Sequence, residues 1–177
     1  MKKLVISIIS LLGMVACTTV RFESPQPADS ISLEEFPEEL QGSFITDEND
    51  TLEVSPFEFY FRNGEEIFIS GNLMTSEEVA LRKFKNMYVL NLKDEGAWDA
   101  FPVKVRRNKL IIYYEKANGD IKELIEDLSL TTQVKEIPDT DEHFGYYLVN
   151  PSAEEFEKLW NKKLFSDKLI FYRESKK

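Results

Sequence analysis

The chain is poor in the residue types that build most small catalytic and metal sites. Cys17 is the only cysteine, so no intramolecular disulfide can form and zinc cages built from several cysteines are excluded. Stability must come from packing. His143 is the only histidine, which would leave histidine-based catalysis resting on one side chain. The sequence contains no Gly-x-Ser-x-Gly elbow, Walker loop, Gly-x-Gly-x-x-Gly turn or His-Glu-x-x-His pair, so the common hydrolase, nucleotide and zinc-peptidase signatures are missing. Basic charge is scarce too: 22 Lys and Arg against 32 Asp and Glu leave a net −10. That balance repels polyanions, and nucleic acid is not an expected partner because binding it needs a basic footprint able to displace phosphate counterions. The one local excess, Lys104, Arg106, Arg107 and Lys109, reads more simply as the solvated turn of a hairpin than as an anion or headgroup site. No apolar run approaches the roughly twenty residues that a spanning helix needs.

What is present suffices for one folded domain. A length of 177 residues matches a single domain of roughly 100–200 residues. The hydrophobic fraction is 42%, with 13 Phe and 7 Tyr, enough to bury a core and to argue against disorder.

The first residues have the order of an export signal, assigned to 1–16. Met1-Lys2-Lys3 is a positive start, Leu4 to Val15 is an apolar run diluted by Ser7, Ser10 and Gly13, and Ala16 is small. The run, about twelve residues long, is too short to remain as a membrane span. Met14-Val15-Ala16-Cys17 resembles the lipobox of bacterial lipoproteins, with Met14 where that pattern usually has Leu. The resemblance implies that Cys17 takes a diacylglyceryl group and becomes the N-terminus of the mature protein, anchored in the membrane by palmitate-type chains. Two chains hold stably where one holds marginally, at about 0.8 kcal/mol per buried CH2. Thr18 stands where an aspartate retains some lipoproteins at the inner membrane, and Thr18 to Arg21 lack the acidic cluster that sends others to the cell exterior. The resemblance therefore implies the outer membrane, on its periplasmic face.

Residues 17–38 contain Pro25, Pro27 and Pro37 among Ser and acidic residues, with little periodicity. They read as a lipidated N-terminus and flexible tether, able to hold the domain tens of ångströms from the membrane at about 3.1 Å per residue. Phe22-Glu23-Ser24-Pro25-Gln26-Pro27, then Leu40-Gln41-Gly42-Ser43-Phe44, resemble the opening of a group of bacterial lipoproteins of uncharacterised activity. Tyr88 to Lys93 and Leu148-Val149-Asn150-Pro151-Ser152 resemble it as well. The resemblance implies no catalytic residues and no cofactor.

Residues 39–177 are expected to form a single α+β domain that opens with an antiparallel β-meander. Apolar–polar alternation marks strands at Gly42–Thr46, Thr51–Ser55, Phe57–Arg62, Glu65–Ser70, Val79–Phe84, Asn86–Lys93, Trp98–Arg106 and Lys109–Glu115. Turn residues separate them: Asp47 to Asp50, Asn63-Gly64, Lys85-Asn86, Asp94-Glu95-Gly96 and Arg107-Asn108. Asn63-Gly64 is the strongest hairpin signal, since a type I′ turn needs positive φ at both positions. Connections this short favour antiparallel neighbours.

The period then becomes helical at Ile121, Leu124, Ile125 and Leu128, behind Asp120 as a potential N-cap. A second helix is marked by the Ser152 and Glu155 capping-box spacing ahead of Phe156, Leu159 and Trp160. Strands are expected at Thr131–Ile137, Phe144–Asn150 and Lys168–Arg173. Leu40 to Phe44 resembles the first strand of lipocalin-like barrels, with Phe44 where that fold usually has Trp. The C-terminal order also fits a split βαβ, ferredoxin-like sheet.

Candidate chemistry is thin. Asp139, Asp141, Glu142 and His143 cluster after Pro138, and the plainer account is a solvated loop. Asp47, Asn49, Thr51 and Glu58 imitate four ligand positions of a calcium loop, but Leu52 stands where its sharp turn needs Gly. Phe57, Phe59 and Phe61 share a strand face, Tyr113 and Tyr114 lie on opposite faces, and Trp98 and Phe101 bracket a strand entry. These aromatics are core first and a ligand-binding lining second. The leading expectation is a lipid-anchored, non-enzymatic envelope protein that binds another envelope component. A barrel-like carrier of a small apolar ligand is the alternative, and an envelope enzyme ranks behind both.

Overall fold

The computed structural model describes residues 20–115, 122–138 and 144–174. Its elements in chain order are β1 (Val20–Phe22), β2 (Ser32–Leu33), β3 (Gly42–Ile45), β4 (Asp50–Val54), β5 (Glu58–Asn63), β6 (Glu66–Asn72), β7 (Val79–Phe84), β8 (Met87–Asp94), β9 (Ala97–Arg106) and β10 (Lys109–Tyr114). There follow α1 (Lys122–Ser129), β11 (Val134–Pro138), β12 (Phe144–Val149), α2 (Ala153–Asn161) and β13 (Asp167–Arg173). The architecture is α+β, as expected: a mostly antiparallel sheet carries two helices.

Strands β3 to β10 form where alternation places them, because each is closed by a turn whose chemistry is local. Left-handed backbone sits in those turns, at Lys85 (φ 53°), Glu95 (φ 47°) and Arg107 (φ 57°). The Asn63-Gly64 hairpin differs from expectation. Gly64 has φ 60°, but Asn63 stays in β5 and donates from Nδ2 to Asp50 Oδ1 at 2.6 Å. The two loop residues are therefore Gly64 and Glu65, with the positive φ at the first position that a type II′ turn requires.

Two meanders, β3-β4-β5-β6 and β7-β8-β9-β10, are joined through β13, which lies between β10 and β3. It pairs with β10 from Lys109↔Tyr172 to Tyr114↔Asp167 and with β3 at Tyr172↔Ile45. The ferredoxin-like alternative does not form, because β13 takes this slot and buries Phe171 edge-to-face on Phe61 at 5.7 Å. Among the described strands, β6 is hydrogen-bonded to β5 alone. It meets β7 by packing: a Cβ on Gly71 would come within 2.7 Å of Val79 Cγ2. The sheet thus curls into a half-barrel around one apolar core.

A second core lies on the outer face, where the helices pack. Ser152 and Glu155 form the expected capping box, an arrangement whose cap alone is worth about 1 kcal/mol. It starts α2 so that Phe156 meets Phe22 at 5.9 Å and Phe84 at 5.3 Å. Ile125 and Leu128 of α1 join the same cluster, and Lys162 pairs with Asp127 across the two helices. Strand β8 serves both cores. Met87 and Val89 face the helices, while Leu90 and Leu92 face the barrel.

The expected tether is corrected by the fold: residues 20–38 are built into the domain. β1 lies between β12, to which it is parallel (Val20↔Tyr147 to Phe22↔Val149), and β9, to which it is antiparallel (Phe22↔Trp98). Arg21 is buried, its Nε and Nη2 donating to the two Asp99 carboxylate oxygens at 3.1 and 3.2 Å, with Nη2 also reaching Asp94 O at 2.8 Å. Beyond β1, the chain carries a cis Gln26–Pro27 bond, and the buried Asn91 binds Gln26 twice. Its Oδ1 accepts from Gln26 N at 2.7 Å and its Nδ2 donates to Gln26 O at 2.9 Å. Arg82 Nη1 donates to Pro25 O and Pro27 O at 2.7 and 2.8 Å. The prolines signal a chain without regular hydrogen bonding, and here distant side chains supply the bonds instead.

Removing one partner of a buried ion pair strands the other, at about 3–5 kcal/mol. Arg21→Ala should lose stability of that order in urea unfolding at neutral pH. Burial raises the Asp99 carboxyl above its ordinary 3.8 while Arg21 pulls it down. A folded-state pKa above the unfolded one means that stability falls as pH rises from 3.8 through the folded value. Loss of Arg21 lifts it further, so the deficit of the variant should shrink toward pH 4 and grow toward neutrality. A pH-independent deficit would show that Asp99 is not the stranded group.

Candidate functional site

The interior of the half-barrel is incompletely filled. A cavity of about 90 Å3 lies there, and every side chain lining it is apolar. Its walls include Phe59 and Phe61 from β5, Leu90 and Leu92 from β8, Phe101 from β9 and Phe171 from β13. Alternation explains the selection, because residues i and i+2 of a strand share a face and each strand of the curl presents one such set. Leu81 and Leu110 in the same wall are sealed, whereas Leu90, Leu92 and Phe101 are half-buried.

The segment before β3 adds to this wall. Phe36 and Leu40, both buried, reach the cavity from a turn in which Leu40 N donates to Pro37 O at 2.8 Å. Phe36 N donates to Pro56 O at 2.6 Å and Gln41 Nε2 to Phe36 O at 2.6 Å. Arg173, at the end of β13, clamps the turn: Nη1 donates to Gln41 O at 2.5 Å and Nη2 to Glu39 O at 2.7 Å. Its guanidinium lies 4.5 Å from the Phe44 ring centroid. Gly42 permits that approach, since φ is +130° and a Cβ would stand 2.6 Å from Arg173 Nη1. The Leu40 to Phe44 motif is thus a packing device for the barrel wall.

Among the described residues no titratable group lines the cavity. The nearest on the inner face of β8 is Tyr88, whose hydroxyl donates to Glu39 Oε1 at 2.8 Å. Burial first, and then that bond, push Tyr88 up to about 12, so it stays neutral at physiological pH. The site can hold an apolar group by dispersion and exclusion of water, and it offers no acid, base or nucleophile.

The other expected candidates separate. Phe59 and Phe61 line the cavity, but Phe57 precedes β5 and is exposed. Trp98 and Tyr113 belong to the outer core, Tyr113 meeting Trp160 at 5.2 Å, and Phe101 belongs to the cavity. Asp47, Asn49, Thr51 and Glu58 lie on the β3–β4 turn, β4 and β5, with Glu58 accepting from Tyr60 OH at 3.0 Å; they form no loop around an ion. Arg106 and Arg107 are exposed on the β9–β10 hairpin, while Lys109 lies 4.9 Å from the Tyr172 ring centroid. Cys17, Asp139, Asp141, Glu142 and His143 lie outside the described residues. Among the described residues no group of three or more His, Cys, Asp or Glu is placed to hold a metal, and no helix is long and apolar enough to cross a membrane. No family model matches the chain, and no curated protein or solved structure matches it either.

Sequence reasoning missed Phe36 and Leu40, which sit in or beside the supposed tether, and the double duty of β8. The near-continuous apolar run from Met87 to Leu92 was the available signal, because a strand covered on both faces loses its alternation.

The cavity makes two substitutions diverge. Phe61→Ala enlarges the void and should cost about 3–5 kcal/mol. Leu90→Phe places its added atoms in existing space and should change stability by less than about 1.5 kcal/mol. Chemical denaturation of both variants distinguishes a real void from a filled core, in which Leu90→Phe would be strongly destabilising.

Proposed function

We propose that the protein is a non-enzymatic lipoprotein of the outer membrane, anchored through Cys17 on the periplasmic side, whose half-barrel binds a small apolar group. The observation that carries this proposal is the cavity of about 90 Å3 with a wholly apolar lining. Size narrows the ligand. Drug-sized molecules use pockets of roughly 300–1,000 Å3, whereas an apolar cavity of about 150 Å3 stays dry and takes benzene. The ligand is therefore a ring or branched chain of that scale, or the end of a longer acyl chain. The strand order supports a lipocalin-like, part-closed barrel: a meander starts at β3 and β13 returns to pair with β3.

A second proposal is that another envelope protein supplies the apolar group. It is favoured by the β6 edge, which among the described strands bonds only to β5 and carries the exposed Ile67, with exposed Phe57 and Met74 just outside β5 and β6. Such an edge can accept an added strand.

Titration of the unlipidated Cys17→Ser chain with fluorobenzene, followed by 19F NMR, should give saturable binding with a Kd on the order of 1 mM, about −4 kcal/mol. Leu90→Trp should abolish it while cooperative unfolding is retained. Absence of saturable binding to the folded Cys17→Ser chain would refute the carrier proposal. For the anchor, Cys17→Ser should release the protein from the membrane pellet, and the wild-type N-terminal peptide should carry the mass of diacylglycerol plus any amide-linked acyl chain. An unmodified Cys17 would refute the address.

A further inference from the structure

The anchor proposed at Cys17 and the position of β1 together fix where the domain stands. Only Thr18 and Thr19 separate Cys17 from Val20, the first residue of β1. Three Cα-to-Cα steps reach at most about 11 Å. The polar layer of one leaflet is itself about 5–8 Å thick, so almost none of that reach is left as free linker. The expected tether of residues 17–38 would have allowed tens of ångströms at about 3.1 Å per residue.

More length would be gained only by peeling β1 away, and the fold opposes this on every side. Val20 N donates to Glu115 Oε2 at 3.0 Å, where β10 ends. Val20 and Phe22 are each 1% exposed, and Arg21 is held by Asp99. The strand is paired on both edges, with β12 and with β9. Extraction would expose two large apolar side chains to water and would separate Arg21 from the buried carboxylate of Asp99.

We infer that the lipid on Cys17 holds the domain flush against the bilayer, with the junction of β1 and β10 at the headgroup surface. The partner of this surface is the lipid headgroup layer of the membrane that receives the acyl chains. This inference rests on the lipidation of Cys17. With the domain seated there, any ligand or protein it meets must come within about 40 Å of the membrane, the diameter of a domain this size.

The test uses the full-length lipoprotein in vesicles of phosphatidylethanolamine and phosphatidylglycerol that contain a spin-labelled headgroup. With Cys17 acylated, one added cysteine is the only labelling site. Lys168→Cys places a fluorophore beside the junction, since Lys168 pairs with Tyr113, close to the Glu115 end of β10. Asn108→Cys places it at the hairpin tip, seven residues from Glu115, or about 23 Å along the strand. Quenching at Lys168→Cys should exceed that at Asn108→Cys several-fold. A Gly/Ser insert of about twelve residues between Thr19 and Val20, reaching about 20 Å, should abolish the difference and weaken quenching at Lys168→Cys. Vesicle-bound protein with equal, weak quenching at both sites, unchanged by the insert, would overturn the flush geometry and leave lipidation standing. Failure to float with vesicles, with no acyl mass on Cys17, would overturn lipidation and this inference together.

Discussion

Three residues, Val20 to Phe22, hold the two parts of the sheet together. Among the described residues β12 pairs with β11 and β1, and the path to the half-barrel runs from β1 to β9. Remove β1 and the β11–β12 hairpin loses its only ladder into the rest of the sheet. Burying Arg21 and Asp99 to secure the strand is costly in itself, because desolvation of two charges offsets much of their attraction. What the bidentate pairing contributes is register: a shift of one residue would turn Arg21 to the opposite face and leave Asp99 buried without its partner. The strand that fastens the fold is also the one next to Cys17, the residue proposed to carry the lipid, so the proposed anchor adjoins the element that secures the sheet.

The cavity is tolerable because the sheet is stabilised from its other side. The outer core, where Phe22, Phe84, Phe156 and Phe165 pack edge-to-face and tilted, gives β7, β8 and β9 a close-packed face that does not depend on the barrel interior. An empty space of about 90 Å3 costs on the order of 2 kcal/mol in lost contacts. That is affordable in a domain with two cores, and it is of the size that a bound apolar group returns. The lining found among the described residues carries no charge, and the Tyr88 hydroxyl on the inner face of β8 is committed to Glu39.

Short polar stretches far apart in the sequence meet in space. Ser24 Oγ donates to Asn150 Oδ1 at 3.2 Å, Glu23 N to Val149 O at 2.9 Å, and Asn91 grips Gln26 from the middle of β8. These short polar motifs, scattered over more than a hundred residues, form one latch that lays the N-terminal segment across the barrel. Their chemistry is structural. Asn91 presents both an acceptor and a donor to the Gln26 backbone, as a neighbouring strand would. That explains an asparagine in an otherwise apolar strand.

Local chemistry was legible. Alternation placed β3 to β10, Ser152 and Glu155 placed the start of α2, and positive-φ residues marked most hairpins, because each depends on neighbours within a few positions in the chain. What the sequence by itself determined is therefore the elements from β3 onward, the α+β class and the lack of familiar catalytic motifs in the chain, while β1 and β2 went unread. Tertiary structure alone decided that β13 lies between β10 and β3, that Phe36 and Leu40 line the barrel, and that a proline-rich stretch is folded rather than free. The physical reason is distance along the chain. Pro25 and Pro27 satisfy their carbonyls at Arg82, and Arg21 finds Asp99 seventy-eight positions away, pairings that no local pattern encodes.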